Sequence, residues 1–185
     1  MRTVDEGTGM SSAKSDTTLR GSQAFPPLER QSFRDGMAKL AAAVNIITST
    51  GENGRCGFTA SAVCSVTDSP PTLLVCINKS SQSHPVITSS QVLCVNTVAG
   101  LHEDLSMAFA GGVKDMGERF AVGEWTTLVT GAPVLREATV AFDCRVTQVA
   151  EVGTHDVVFC EVLAIHEGSG TDGLVYFGRK FHRLG

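Results

Sequence analysis

The chain has 185 residues, 42% of them hydrophobic and 18% charged, which fits one compact domain with a sizeable core and argues against a second. A net charge of −4 with scattered Lys and Arg excludes the concentrated basic stripe of a nucleic-acid surface, and no apolar run approaches the roughly 20 residues that cross a bilayer. Six cysteines follow no secretory signal; Cys64, Cys76, Cys94, Cys144 and Cys160 sit in apolar runs, so they are expected to be buried thiols of a cytosolic protein.

Met1 to Pro27 is rich in Ser, Thr, Gly and charge and is expected to be a flexible tail, with the domain occupying residues 28–185. Ser32 is placed to cap a helix whose apolar positions Phe33, Met37, Leu40, Ala41 and Val44 recur at helical spacing. Strands are predicted at Asn45 to Thr50 and Cys56 to Ala60 around a Gly/Asn loop, then at Thr72 to Ile77 after the Pro70-Pro71 break. His84-Pro85 opens a short helix, Val92 to Val98 returns as a strand, and Leu101 to Ala110 is a helix stopped by Gly111-Gly112. Val113 to Trp125 has no regular pattern. Two long strands, Thr139 to Val149 and His155 to His166, precede a last short one at Leu174 to Gly178. Many strands, few helices and no regular strand-helix alternation predict a mainly β, antiparallel barrel.

The motifs that would announce common chemistries do not hold. Gly168 to Gly173 spells G-x-G-x-x-G, but a strand and not a helix follows it, so a hairpin loop is expected instead of a dinucleotide fingerprint. His102-Glu103 lacks the second histidine of a zinc helix, no C-x-x-C pair exists, and no G-x-S-x-G places a nucleophile; no metal site is expected. The informative stretch runs from Gly57 to Pro85. Thr59-Ala60-Ser61-Ala62 leaves backbone N–H groups uncovered beside small hydroxyl side chains, and Asn78 to Ser83 gathers hydroxyls, amides and one ammonium where a buried strand meets a helix start, a place suited to an anion. On composition alone, Thr59, Ser61 and Ser65 read first as strand-surface hydroxyls.

Phe33 to Met37, Ala43 to Thr48, Gly57 to Pro85, Gly153-Thr154-His155 and Tyr176 to His182, in that order, resemble the short-chain flavin reductases, and especially the reductase component of two-component aromatic monooxygenases. The resemblance implies the FMN-binding split barrel and a homodimer with each flavin site at or near the subunit interface. It lays Thr59, Ala60, Ser61, Ala62 and Ser65 along the flavin ring, where aligned donors stabilise the charge that reduction adds. It assigns Asn78, Lys79, Ser81 and Ser83, with His84 beside them, to the ribityl chain and phosphate. Phe109, Arg119 and Phe120 offer apolar cover and a cation. His155 is placed to receive the nicotinamide, while Cys160 stands where the family usually has glycine five residues after that histidine. Tyr176, Phe177, Gly178 and Arg179 fall in the flavin and nicotinamide pocket, although core packing explains the two aromatics equally well.

The expected activity is therefore hydride transfer from NADH or NADPH to FAD or FMN, with FAD favoured by the monooxygenase-linked relatives, and release of reduced flavin to a separate aromatic monooxygenase. The cofactors carry that chemistry, so no general acid or base is required, and His155 enters as a positioning group. A split-barrel oxidase that retains its flavin is the second expectation; it needs a cationic substrate-phosphate cluster, and charges in the core are sparse. A non-enzymatic flavin-binding module is the third.

Overall fold

The computed structural model describes residues 25–52 and 54–185, so the tail expected for residues 1–24 lies outside the described residues. In chain order the elements are α1 (Arg30–Met37), β1 (Ala42–Ala43), β2 (Asn45–Gly51), β3 (Gly54–Ala60), β4 (Val63–Asp68), β5 (Pro71–Asn78), α2 (His84–Ser90) and β6 (Val92–Thr97). A tight turn at Gly100–His102, α3 (Glu103–Met107) and a π-turn at Ala108–Gly112 follow, then α4 (Met116–Ala121), β7 (Trp125–Thr127) and β8 (Pro133–Leu135). The chain ends with β9 (Val140–Val152), β10 (His155–Glu167), β11 (Gly173–Phe177) and β12 (Lys180–Leu184).

Seven strands form one antiparallel sheet in the order β3-β2-β6-β9-β10-β5-β4. Its outermost strands, β3 and β4, are consecutive in the chain and joined only by Ser61-Ala62. Three Cα steps from Ala60 to Val63 reach at most about 11 Å. A flat sheet of seven strands would hold its edges about 29 Å apart. The sheet must curl until its edges nearly meet, and because β3 and β4 do not pair with one another, the result is a split antiparallel barrel. A smaller sheet, β1-β11-β12, is stitched to it where Val44 N–H donates to Leu174 O, Leu174 N–H to Val98 O and Val98 N–H to Val44 O, at 2.9–3.2 Å.

The barrel interior follows the period-two rule of strands. Leu73, Val75 and Ile77 on β5 point inward and are buried while Thr72, Leu74 and Cys76 face out, and Ile47, Ile87, Leu93, Val95, Val146 and Val158 complete that core. A second core, built on Ile46, Val98, Leu105, Phe109, Phe120, Val134, Leu135 and Leu174, fills the space between the barrel and the helical segment. Cys56, Cys94, Cys144 and Cys160 are buried free thiols, and desolvation pushes Cys160 up to about 12. Two cysteines depart from the buried-thiol expectation: Cys64 is exposed, because it lies on the outer face of the edge strand β4, and Cys76 is half-buried on the outward face of β5.

Four local differences from the sequence pattern have physical reasons. Helix α1 begins after Glu29 instead of Ser32 and stops at Met37, so Leu40, Ala41 and Val44 leave the helix; Phe33, Met37 and Leu40 are exposed, since no element among the described residues covers that face. Val113 to Trp125 is not irregular throughout, because Asp115 accepts the Glu118 N–H at 2.9 Å and caps α4. Strands β4, β7, β8 and β12 are too short or too polar to register as apolar runs. The glycine-rich segment Gly168 to Asp172 joins two strands, as expected, but β10 and β11 lie in different sheets and form no hairpin.

Buried polar groups lock the β7–β8 hairpin to the barrel end. Asn96 Nδ2 donates to Ile46 O at 2.9 Å, and its Oδ1 accepts the Leu135 N–H at 2.8 Å, while Asp143 accepts the Thr130 N–H at 2.8 Å and the Thr130 hydroxyl. Asn96→Ala strands the Leu135 N–H without an acceptor and is expected to cost about 1–3 kcal/mol, read as a lower urea midpoint. An unchanged midpoint would show that the hairpin is held by other contacts.

Candidate functional site

Where β3 runs into the two-residue β3–β4 joint, a cleft of about 660 Å³ opens, within the roughly 300–1,000 Å³ of small-molecule sites. Thr59, Ala60 and Ser61 form one wall, and Val44, Met107, Tyr176 and Phe181 supply apolar surface opposite. Glu103, Arg179 and Lys180 stand among them as the charged lining. The Thr59 hydroxyl donates to Ser106 O at 2.6 Å, which ties β3 to α3 and leaves the Ser61 hydroxyl and the joint's backbone to meet a ligand. Tyr176 is backed by Phe181, with ring centroids 5.3 Å apart.

On the other side of the π-turn lies a smaller chamber of about 210 Å³, which shares Ala110 with the cleft and is lined by Ser81, Ser83, Phe109, Gly111 and Arg119 among others. Arg119 is only 8% exposed, yet its partners are carbonyl oxygens: Nε donates to Val113 O at 2.6 Å and Nη1 to Gly57 O at 3.3 Å. Among the described residues no carboxylate pairs with it. A buried guanidinium so placed keeps its full charge and favours an anion. Two glycines make the arrangement possible. A Cβ at Gly57 would lie 2.7 Å from the Phe109 ring, and Gly111 turns the chain at φ +106°, a conformation unfavourable for other residues. Phe120 belongs beneath the chamber in an edge-on cluster with Phe109 and Trp125, with the Arg55 guanidinium 4.4 Å over its ring.

A third group sits where the β9–β10 turn meets the Asn78 to His84 loop. Asn78 Oδ1 accepts from the Ser80 N–H and hydroxyl at 2.9 and 2.8 Å and so shapes the loop. Lys79 Nζ lies 2.6 Å from Glu151 and 3.5 Å from Asp156, and the hydrogen bond to Glu151 raises its pKa. His84 Nε2 donates to Asp156 Oδ2 at 2.7 Å. His155 pairs in register with Asn78, is exposed, and hydrogen-bonds through Nδ1 to the Thr154 hydroxyl at 2.9 Å. Cys160 is fully buried in the same strand, so its side chain is housed in the barrel core.

Within the chain, then, Thr59, Ala60, Ser61, Tyr176 and Arg179 share the cleft, and Ser81, Ser83, Phe109 and Arg119 share the chamber. Asn78, Lys79, His84 and His155 form the adjacent polar cluster. Ala62 lines a groove beneath α1, and Ser65 lines a separate depression with Phe142 and Ile165. Phe177 is exposed beside His182, and Gly178 donates its N–H to Ala38 O at 2.7 Å. Asp156 escaped the sequence reading. The available signal was a carboxylate next to His155 in a strand, which alternation turns to the opposite, inward face. An uncompensated buried cation with two serines on one side of the π-turn, and an apolar-walled cleft on the other, fits a flat-ring ligand carrying a phosphate.

Residues 37–185 match the family described as flavin reductase like domain. Over 175 residues the chain is 57% identical to the FMN reductase (NADH) RutF of Stutzerimonas stutzeri strain A1501, spanning 95% of this chain and 98% of that one. A crystal structure from Haemophilus somnus 129PT, of a protein proposed to be a flavin reductase, superposes with a TM-score of 0.82 at 47% identity, covering 85% of this chain and all of that one. A homologue of nitrilotriacetate monooxygenase component B from Mycobacterium thermoresistibile gives a TM-score of 0.78 at 26% identity, over 84% of this chain and 87% of that one.

The hydrogen bond from His84, aided by the Lys79 charge, holds the Asp156 carboxyl below the usual carboxylate range. A carboxyl depressed by folding stabilises the fold above its unfolded value of about 3.9 and loses that contribution as pH falls through the folded value. Thermal melts from about pH 6 to pH 3 should therefore fall less steeply for Asp156→Asn than for the unaltered protein. Equal acid slopes would rule out this pair as a source of the pH dependence.

Proposed function

The chain belongs to the flavin reductase like domain family, and from that premise we propose that it is an NADH-dependent flavin reductase that prefers FMN and releases the reduced flavin to a separate flavin-dependent monooxygenase. The observation that carries the proposal is the uncompensated Arg119 guanidinium, set with Ser81 and Ser83 across the π-turn from the Thr59–Ser61 cleft. Relatives more than half identical over most of the chain are named FMN reductases that use NADH, which moves the expected preference from FAD to FMN. The name of the Mycobacterium relative, component B of a monooxygenase, supports delivery of reduced flavin to a second protein. The sequence resemblance adds an aromatic substrate for that protein. Nothing in a reductase site selects it, because reduced flavin is all that passes between the two.

In this proposal Arg119 and the Ser81 and Ser83 hydroxyls hold the flavin phosphate, and the uncovered backbone of the β3–β4 joint with the Ser61 hydroxyl meets the polar edge of the ring. Val44, Met107 and Tyr176 keep water from its faces. Bound flavin supplies a ring that accepts a hydride from reduced nicotinamide. The protein's task is then to hold two flat rings in register, which asks for no general acid or base in the cleft. Lys79 is neutralised by Glu151 and Asp156, so it orders the loop while Arg119 carries the charge. His155 lines neither the cleft nor the chamber. That supports a homodimer in which it faces the site at the subunit interface and positions the nicotinamide.

Anaerobic NADH oxidation with FMN, FAD or no added flavin tests the activity: turnover of FMN in large excess over enzyme, faster than FAD, is expected, and flavin binding without turnover would leave only a carrier. Arg119→Ala is expected to raise the KM for FMN about ten- to a hundredfold while leaving that for riboflavin, which lacks the phosphate, in place. A proportional loss for both flavins would remove Arg119 from the phosphate. His155→Ala should raise the KM for NADH or slow hydride transfer; if neither moves, the histidine has no part in receiving the nicotinamide.

A further inference from the structure

Helix α3 is short, yet its place beside the cleft is fixed. The Thr59 hydroxyl donates to Ser106 O at 2.6 Å, the Ser106 hydroxyl donates to His102 O at 2.8 Å, and Leu105 is buried in the second core. The two residues that α3 turns toward the cleft are Glu103 and Met107, one turn apart and so on one face of the helix. Met107 gives apolar cover, and a flat ring has no evident use for the carboxylate beside it.

Among the described residues Glu103 is the one carboxylate lining the cleft, where it is half-buried and makes no ion pair. The next residue, Asp104, is exposed and already brings a negative charge to the first turn of α3, so the helix does not account for a second one there. Neither cation of the cleft neutralises Glu103: Arg179 is paired with Asp35, and Lys180 is exposed to solvent and out of ion-pair reach.

A reductase that must release its product meets a problem of charge. Hydride transfer brings two electrons and one proton to the flavin ring, so until a second proton arrives the reduced ring carries one more negative charge than the oxidised ring. Donors aligned at the β3–β4 joint favour that charge and so favour hydride transfer, and by the same interaction they hold reduced flavin more tightly than oxidised flavin. A fixed carboxylate in the same cleft acts in the opposite sense.

We propose that Glu103 sets the release of the product: its charge weakens the hold of the cleft on reduced flavin and affects oxidised flavin much less. The proposal rests on the reductase reading above and deepens it by naming what tells product from substrate. A cleft of about 660 Å³, taken as a sphere, is about 11 Å across, so a carboxylate in its lining acts on the ring through space without touching it.

The test titrates the protein anaerobically with oxidised FMN and with dithionite-reduced FMN, at a mildly alkaline pH where the reduced ring is an anion, and takes the ratio of the two dissociation constants. Both forms carry the phosphate, so its repulsion by Glu103 cancels in that ratio. Glu103→Gln, which keeps the size and removes the charge, should tighten reduced FMN about tenfold relative to oxidised FMN. Glu103→Asp keeps the charge and should keep most of the ratio of the unaltered protein. An unchanged ratio in Glu103→Gln, or the same shift in Glu103→Asp, would overturn the assignment while NADH-dependent turnover of FMN stood. Failure of the unaltered protein to bind FMN, or to oxidise NADH with it, would overturn the reductase reading, and the role of Glu103 with it.

Discussion

Two residues, Ser61 and Ala62, join the opposite edges of a seven-stranded sheet, and the rest of the molecule is arranged around that short tether. A connection so brief closes the sheet into a barrel, yet the edges it brings together do not pair, so the seam keeps backbone groups that a sealed barrel would have consumed in ladder hydrogen bonds. The cleft takes the β3 side of this tether, Thr59 to Ser61, as one wall, and the small side chains of the Thr59 to Ala62 segment let a ligand approach the chain there.

The π-turn after α3 divides the space in front of the seam into the cleft and the smaller chamber. Its position depends on close contacts: Phe109 lies against Gly57, Thr59 holds the Ser106 carbonyl, and Arg119 grips the Gly57 carbonyl from α4. Charge is distributed with the same economy. Lys79, the cation most visible beside the serine-rich loop, is neutralised by two carboxylates, whereas Arg119, among the described residues, hydrogen-bonds to carbonyls alone. A cation whose partners are only dipoles is the one left to attract an anion.

The long β9–β10 hairpin carries the remaining polar groups to the same end of the barrel. Asp156 faces inward from β10 to hold His84 and Lys79 on the neighbouring loop, while His155, one residue earlier, faces out. The alternation of a strand therefore lets two adjacent residues do separate work: one fixes the loop, and the other is free for a ligand or a second subunit. At the opposite end of the cleft, the β11–β12 turn anchors α1 through Arg179 and Gly178, so the helix is positioned by polar contacts and its apolar face is left uncovered by the described residues.

Much of this was legible from local pattern. Period-two alternation and apolar runs marked β2, β5, β6, β9 and β10, the double glycine marked the end of the α3 segment, and the absence of a helix after Gly173 correctly removed the dinucleotide fingerprint. Strands β4, β7 and β12 were not legible, because their stability comes from neighbours in the sheet and not from their own apolar content. The exposure of the α1 face was illegible for the converse reason: amphipathic spacing says that a face is apolar but not whether anything lies against it.

The amino-acid sequence by itself determined the strand-rich class, the hydroxyl and amide clusters at Thr59 to Ala62 and Asn78 to Ser83, and the resemblance that names the family, since these rest on residue type and spacing along the chain. Only the tertiary structure decided that Arg119 and not Lys79 stands uncompensated, that Asp156 reaches His84, and that Arg179 meets Asp35. Each of these depends on which distant segments barrel closure brings together. Electrostatic partners are set by distance in space, and residues 144 positions apart that share an ion pair leave no trace of it in their order along the chain.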